Sequence, residues 1–267
     1  MAAMLAFAGN SLLCRWALRE TAIDPASFAV VRLVSGAAAL ALLVRPCGVT
    51  GQDGNWRSAI ALFAYAAAFS FAYVQLSAAV GALLLFGVVQ LTMVLCGLVA
   101  GDRVTGSHVA GLSAALAGFY VLLFAQGGAN YGGLWAQVLM AAAGVAWGVY
   151  SILGRQSTHA KALTRGNFIR AAALSATLLP MVVRQWQWDP LGLALATASG
   201  ALTSGAGYVV WYSVTPRLRA IQASTVQLSV PLITAVAGIL FLQENLVVNQ
   251  VFGGLLILGG IALTFKH

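Results

Sequence analysis

Apolar runs of about 20 residues, the length that spans a bilayer as a helix, follow one another along the whole chain. Charged residues fall almost only between these runs and make up 7% of the 267 residues. A soluble domain carries about 25% charged residues, so this chain has too few of them to cover a surface in water. The sequence therefore predicts an all-α integral membrane protein.

Ten spanning helices fit the length of the chain. They would use about 200 residues and leave about 67 for connections and helix ends. The third and fourth spans follow each other without a polar break, so their boundary is the least defined. The predicted spans are Met1–Leu18, Ser27–Val44, Trp56–Ala78, Ala79–Ala100, Gly106–Phe124, Gly133–Leu153, Leu163–Val183, Leu191–Val214, Ala220–Leu242 and Asn245–Phe265.

Basic residues indicate how the spans are oriented. Nine follow even-numbered spans, and three, Arg15, Arg19 and Arg184, follow odd-numbered spans. Because cytoplasmic loops are enriched in Lys and Arg, we expect a multi-pass protein of the cell inner membrane with both termini in the cytoplasm. The nine are Arg45, Arg57, Arg103, Arg155, Lys161, Arg165, Arg217, Arg219 and Lys266. Their scatter forms no phosphate-binding stripe, so the net charge of +8 predicts no nucleic-acid partner.

Short matches relate the two halves of the chain. Asn10–Arg15 aligns with Tyr150–Arg155, and Gln90 aligns with Gln227. Further pairs in the same order are Phe28 with Phe168, Ser35 with Ser175, Gly111 with Gly253 and Gly118 with Gly260. Five spans in each half would invert the second half relative to the first, a plan common in secondary transporters. The predicted domains are two inverted five-helix repeats, residues 1–125 and 131–267.

The second half carries a recognisable motif. It comprises Ala223-Ser-Thr, Pro231, Gly238, Leu242-Gln-Glu244 and the glycine pairs Gly253-Gly254 and Gly259-Gly260. This pattern closely resembles the second EamA-type repeat of the drug/metabolite transporter superfamily. The first half is similar at Asp102, Gly111 and Gly118, but Met93–Val94 stand where the pattern has its proline. The aromatic-rich spans are most similar to the YddG-type exporters of aromatic amino acids.

The resemblance implies ten helices around a central cavity. Spans one to four and six to nine would line the cavity, and spans five and ten would pack behind them. It implies export of aromatic and large apolar amino acids and related small metabolites by alternating access, with membrane lipid around a monomer or weak homodimer. A drug or nucleotide-sugar carrier of the same superfamily is the alternative.

Polar amides inside apolar spans are the first candidates for contact with a solute. Asn10, Gln90 and Gln227 are costly in hydrocarbon unless they are paired. They either form hydrogen bonds between helices or line the cavity. The aromatic candidates for cavity lining are Tyr73, Trp147, Tyr150, Tyr208 and Trp211, with packing between helices as the alternative. Trp56, Trp135, Trp186 and Trp188 stand at span ends, as in an interfacial aromatic belt.

Other residues are assigned by their position in a span. Arg32 lies about 9 Å inside the second span, where it either extends to the membrane surface or binds a substrate carboxylate through its planar guanidinium. Glu244 and Asp102 are expected to cap the starts of spans ten and five. Pro231 and Gly238 predict a hinge in the ninth span.

Catalysis is not expected from this sequence. His108, His159 and His267 have no carboxylate at a suitable spacing, and Cys14, Cys47 and Cys96 are far apart. A membrane-embedded enzyme is therefore the weakest alternative, and no metal or cofactor is predicted. Because no carboxylate or histidine lies in the middle of a span, we expect facilitated diffusion without proton coupling.

Overall fold

The computed structural model describes residues 1–46, 53–99, 105–124, 133–154, 159–214 and 226–264. Within these ranges the chain forms ten long helices and no strand, which confirms the predicted all-α membrane fold. Asp102 and the predicted domain boundaries at residues 125 and 131 lie outside the described ranges. The helices are α1 Ala2–Glu20, α2 Pro25–Leu43, α3 Trp56–Tyr73, α4 Ala78–Val99, α5 Gly106–Phe124, α6 Leu134–Gly154, α7 Ala160–Gln185, α8 Pro190–Val214, α9 Ser229–Leu242 and α10 Val248–Thr264.

Helix bounds agree with the predicted spans to within about three residues, except at the end of the third span and the start of the ninth. The ninth was predicted to begin at Ala220, which lies outside the described ranges, and α9 begins at Ser229. The helices α2, α4, α6, α7 and α8 are each long and apolar enough to cross a bilayer, and shorter apolar stretches occur in α5, α9 and α10. The third helix ends at Tyr73, five residues before the predicted Ala78, because a short turn separates it from α4. Two helices contain irregular segments, the 3₁₀ turn Ser175–Leu178 in α7 and the π-helical stretch Ser199–Ala206 in α8.

Large apolar side chains cover much of the outer surface. On α9, for example, Leu240 and Phe241 are 69% and 73% exposed. A soluble protein rarely exposes contiguous apolar surface on this scale, whereas lipid chains solvate it. All four tryptophans assigned to the membrane interface are exposed and stand at or just beyond helix ends, as predicted: Trp56, Trp135, Trp186 and Trp188.

Glycines bring α5 and α10 into close antiparallel contact. A Cβ atom on Gly118 would lie 2.7 Å from the carbonyl oxygen of Gly253, and one on Gly260 would lie 2.5 Å from that of Gly111. Contacts this short leave room for hydrogen only, so the backbones meet directly. The predicted role of these four glycines in helix packing is confirmed.

Each of the first five helices has a counterpart five places later in the chain. Several packing contacts recur between the counterparts of the helices that make them. Thus α1 packs against α8 and α9, and α6 packs against α3 and α4. Likewise α2 packs against α8, and α7 packs against α3. The pairs α2–α7, α4–α9 and α5–α10 are also in contact, each helix with its own counterpart. Such exchanged contacts are those that the predicted duplication of a five-helix unit would produce.

Short polar side chains define several helix starts. Asp24, Asn55 and Asp189 accept backbone N–H bonds at the starts of α2, α3 and α8, each at 2.8 to 2.9 Å. The prediction that Glu244 caps the tenth helix is wrong. Its Oε2 accepts the N–H of Ala78 at 2.8 Å and so caps α4. The chain after α9 bends back through Gln243, whose φ is +50°, and this bend directs Glu244 towards α4.

Pro231 lies in the first turn of α9 and not in the middle of a helix. Val226 and Gln227 are helical, Leu228 interrupts the helix, and α9 begins at Ser229. A proline near a helix start costs little, because the first turn has no intrahelical acceptors for its N–H groups. The Ser229 hydroxyl donates to the Val226 carbonyl at 2.6 Å, which satisfies one backbone acceptor at the interruption.

Candidate functional site

A small cavity lies among α1, α2, α3, α4, α6 and α8. Its volume is ≈ 20 Å³, about enough for one or two water molecules. The flanking helices α5 and α10 contribute no residue to it. The residues that border the cavity are Phe7, Asn10, Ser11, Arg32, Tyr65, Leu85, Phe86, Trp147, Thr203, Ser204 and Tyr208.

Aromatic rings form much of the cavity wall. The Trp147 ring lies between those of Tyr65 and Tyr208, with centroids 4.7 and 5.3 Å away. The Phe7 ring lies 5.6 Å from that of Tyr208 and 6.5 Å from that of Trp147. These separations fall within the favourable range for aromatic pairs, which hold one another in defined orientations. The wall therefore offers flat apolar surfaces in fixed positions.

Arg32 is the cationic residue of the cavity. It is 3% exposed, so it does not extend to the membrane surface as one of the two interpretations of its position had expected. Its guanidinium carbon lies 5.0 Å from the Tyr65 ring centre and 4.8 Å from that of Phe69. Its Nη2 donates to the Tyr65 hydroxyl at 2.9 Å. Its Nη1 is buried and has no hydrogen-bond partner among the described residues.

A polar network connects Arg32 to α1 and α8. Tyr65 Oη accepts a second hydrogen bond from Asn10 Nδ2 at 3.1 Å. The Oδ1 atom of Asn10 in turn accepts the Ser199 hydroxyl proton at 2.7 Å. Because both amide atoms of Asn10 are engaged, its orientation is determined. The network also fixes the phenol of Tyr65 against the guanidinium.

The π-helical stretch of α8 supplies one side of the cavity. Ser199, Thr203 and Ser204 all belong to it, and the last two border the cavity directly. Gly200 within the stretch packs against the Arg32 carbonyl, which places α2 and α8 in close contact beside the guanidinium. Irregular π-helical turns occur frequently at functional sites, because they rotate side chains that a regular helix would direct elsewhere.

The second half of the chain is similar to a known family of transporters. Residues 134–266 match the EamA-like transporter family. A Pseudomonas aeruginosa relative, described only as an uncharacterized protein, is 52% identical over 98% of this chain and 91% of its own length. The chain belongs to the EamA-like transporter family. Two uncharacterized transporters of Archaeoglobus fulgidus are 26% and 22% identical, over 98% and 94% of the chain and 94% and 95% of their own lengths.

A solved crystal structure has the same fold as this EamA-type protein. It covers 98% of the chain and 96% of its own, with a TM-score of 0.64. The sequences are 23% identical, so the likeness concerns the fold alone. The match to the EamA-like family and the two archaeal transporters make the chain an EamA-type transporter of the drug/metabolite superfamily, with a small-molecule substrate and a membrane-embedded fold.

Four of the residues that the sequence singled out for this EamA-type transporter border the cavity: Asn10, Arg32, Trp147 and Tyr208. Two others, Tyr150 and Trp211, are buried next to it, with ring centroids 5.5 Å from Trp147 and 6.1 Å from Phe7 respectively. They form a second layer behind the wall.

The remaining candidates lie further away. Tyr73 is fully buried and packs against Phe69 and Gly81. Gln90 lies one turn beyond Phe86 on α4, is 1% exposed, and has no partner for Nε2 among the described residues. Gln227 is half-buried before α9 and does not border the cavity.

Sequence reasoning did not single out Tyr65, which accepts hydrogen bonds from both Asn10 and Arg32. The signal was present, because Tyr65, Phe69 and Tyr73 follow one another at intervals of four residues and so share one helix face. Phe7, Thr203 and Ser204 were also missed. Single aromatic and hydroxyl residues in apolar helices give no pattern that separates cavity lining from packing.

Proposed function

We propose that this transporter exports amino acids with aromatic or large apolar side chains, and related small metabolites, by alternating access. The observation that carries the proposal is a buried guanidinium, Arg32, beside an aromatic-walled cavity, with an Nη1 that has no partner in the described part of the chain. Aromatic and apolar side chains gain free energy by burial against such rings. A guanidinium binds a carboxylate through its planar array of donors.

The proposed pose follows from this arrangement. The substrate carboxylate would accept the free Nη1–H of Arg32, and the side chain would extend between Trp147 and Tyr208. Tyr65 would position the guanidinium, because its hydroxyl accepts Nη2–H and its ring lies beneath the cation. An Arg–carboxylate bond is charge-assisted and about twice as strong as a neutral hydrogen bond.

Alternating access requires two units that move relative to each other. We propose the two inverted repeats, residues 1–125 and 131–267, as these units, and the exchange symmetry of the helix contacts supports this division. An amino acid does not fit in ≈ 20 Å³, so the lining helices must separate to admit it. Pro231 and Gly238 on α9 are the proposed hinge, and the interruption at Leu228 lies next to the proline.

The proposed energetics is facilitated diffusion. None of the cavity-lining residues is a carboxylate or a histidine, and a proton-coupled carrier usually places such a group along its pathway. The substrate would then leave the cell down its own gradient. The basic residues between spans support insertion in the cell inner membrane with both termini in the cytoplasm.

Transport by the purified protein in liposomes tests the proposal. Liposomes loaded with unlabelled Phe or Leu should take up the labelled amino acid in exchange, without an imposed pH gradient. The change Trp147→Ala should lower this exchange at least tenfold while the yield of folded protein is unchanged. The change Gln227→Ala, at a residue outside the cavity seen here, tests whether the site extends towards α9 in another state.

Three results would contradict parts of the proposal. Failure of both amino acids to exchange would contradict the substrate class. Uptake that depends on an imposed pH gradient would contradict facilitated diffusion. Full activity of a folded Trp147→Ala variant would contradict the assignment of the cavity as the site.

A further inference from the structure

The charges around the cavity do not balance. Arg32 borders it, and none of the described residues around it carries a carboxylate. The ion pairs in the described part of the chain are Arg15–Glu244, Arg19–Glu20 and Arg165–Asp53, so none of them involves Arg32. A guanidinium remains charged at all physiological pH values, and a buried charge without a counterion is unfavourable. The cavity therefore attracts an anion.

Resting on the proposed function, we propose that the cavity prefers, among the proposed substrates, those of net charge −1 over the zwitterionic amino acids. These are carboxylates that carry an aromatic or large apolar group and no ammonium. Arg32 balances one negative charge. None of the described residues that line the cavity carries a negative charge that could balance an ammonium. An amino acid would bring its ammonium into the same small space as Arg32, and the repulsion between the two cations would offset part of the gain from the carboxylate.

The uncharged polar groups of the cavity offer an ammonium few strong hydrogen-bond acceptors. Asn10 Oδ1 already accepts the Ser199 hydroxyl proton. The Tyr65 oxygen accepts two hydrogen bonds. One face each of Tyr65 and Phe69, which would otherwise attract a cation, is occupied by the guanidinium. An ammonium is then left mainly with the hydroxyls of Ser11, Thr203 and Ser204, which carry no negative charge to offset its repulsion from Arg32.

The proposal has an electrical consequence. A complete transport cycle returns the protein to its starting state, so the net charge moved equals the charge of the solute. A carboxylate without an ammonium carries −1 across the membrane, and a zwitterionic amino acid carries zero. At equilibrium, a potential of 100 mV would give a concentration ratio across the membrane of about 50 for the anion. The same potential would leave the concentrations of the zwitterion equal on both sides.

Matched solutes with one apolar body test the selection. Phenylalanine, 3-phenylpropanoate and phenethylamine differ in whether they carry the ammonium, the carboxylate or both. In protein-containing liposomes, 3-phenylpropanoate should compete for labelled phenylalanine uptake at a concentration about tenfold below that of unlabelled phenylalanine. Phenethylamine should not compete. Protein-free liposomes give the background permeation of each solute.

The potential is tested with 2-phenylethanesulfonate, whose permanent charge prevents passage through lipid as a neutral acid. A potassium gradient with valinomycin, set positive inside, should accelerate its uptake and raise its accumulation. The same potential should leave phenylalanine uptake unchanged. Both measurements use the unaltered protein, so they hold even if a variant at Arg32 does not fold.

Variants then connect the selection to one residue. Arg32→Gln should abolish the preference for 3-phenylpropanoate over phenylalanine, and Arg32→Lys should retain part of it. Arg19→Gln, at a half-exposed arginine outside the cavity, should retain the preference in full.

The outcomes separate this proposal from the proposed function. Exchange of phenylalanine with no preference for 3-phenylpropanoate, and no response of the sulfonate to the potential, overturns the inference and leaves the proposed function standing. Failure of every solute to move overturns the proposed function and the inference with it. A preference that survives in folded Arg32→Gln protein overturns the role given to Arg32.

Discussion

The Nε atom of Arg15 lies 3.2 Å from Oε1 of Glu244, although 229 positions separate the two residues in the chain. Arg15 also donates through Nη1 to the carbonyl oxygens of Tyr73 and Val74, both at 3.0 Å. The second carboxylate oxygen of Glu244 accepts the Ala78 N–H. One ion pair thus joins the end of α1, the α3–α4 turn and the α9–α10 corner at a single face of the molecule.

Neutralising the acidic partner should destabilise the protein. The side chains of Arg15 and Glu244 are 14% and 6% exposed, and loss of one partner of a buried pair leaves an uncompensated charge. We expect Glu244→Gln to lower the free energy of unfolding by about 3 kcal/mol, measured by denaturant titration in detergent micelles. Glu20→Gln is the matched control, because its pair with Arg19 is 38% and 49% exposed and should contribute less than about 1 kcal/mol. Equal effects of the two substitutions would contradict this account.

Tyr65→Phe should impair transport while leaving the fold intact. The substitution retains the ring beneath Arg32 but removes the acceptor that binds both Arg32 and Asn10. Loss of a buried acceptor costs about 1–3 kcal/mol, and the guanidinium would also lose its orientation. We expect at least tenfold slower exchange in liposomes with a similar elution profile in gel filtration. Tyr73→Phe, at a buried tyrosine that does not border the cavity, should remain within about twofold of the unaltered protein. Its hydroxyl lies 3.4 Å from the Ala78 carbonyl oxygen and, unlike that of Tyr65, does not accept the bonds from Arg32 and Asn10.

Pro231→Ala should slow the change between the two states of the proposed alternating access, which open to opposite sides of the membrane. Alanine restores an N–H at the start of α9 and favours a continuous helix through Leu228, which would stiffen the proposed hinge. We expect a lower maximal exchange rate with little change in the substrate concentration that gives half the maximal rate. Thermal unfolding should show equal or greater stability. An unchanged rate in a folded variant would argue against a hinge at this position.

Replacing either of two adjacent glycines of α10 by alanine should have opposite effects on the stability of the protein. A Cβ atom on Gly260 would lie 2.5 Å from the Gly111 carbonyl oxygen, whereas one on Gly259 would meet nothing within 4 Å. Gly260→Ala should separate α5 from α10 and cost about 1–3 kcal/mol. Gly259→Ala should be neutral or stabilise by up to about 1 kcal/mol, because alanine favours helix. Thermal unfolding in detergent measures both.

Asp189 makes part of the stability dependent on pH. Backbone N–H bonds from Gly192 and Ala22 lower the pKa of its carboxyl group. A depressed pKa in the folded state means that the contribution is fully present above the unfolded pKa of about 3.9 and is lost as the pH falls through the folded value. Asp189→Asn and Asp189→Ser should therefore show a smaller fall in unfolding temperature between pH 6 and pH 3 than the unaltered protein. An identical fall in all three proteins would contradict this.

The ten helices and the α5–α10 contact were predictable because they depend on local composition. Runs of apolar residues must form helices in lipid, since no water is present to satisfy the backbone. Glycines seven residues apart on α5 and α10 marked faces that approach closely. The same reasoning placed Glu244 at the wrong helix, because its acceptor role depends on the left-handed bend at Gln243 that turns it towards α4.

The sequence by itself determined that this chain is a membrane-embedded helical transporter, because hydropathy, charge placement and the EamA motif are properties of short segments. Only the tertiary structure decided which polar residues meet. Arg32 has the same sequence context whether it extends to the surface or faces the interior. Its burial against Tyr65 and Phe69 follows from the packing of α2 against α3 and α8, a long-range arrangement that no local pattern encodes.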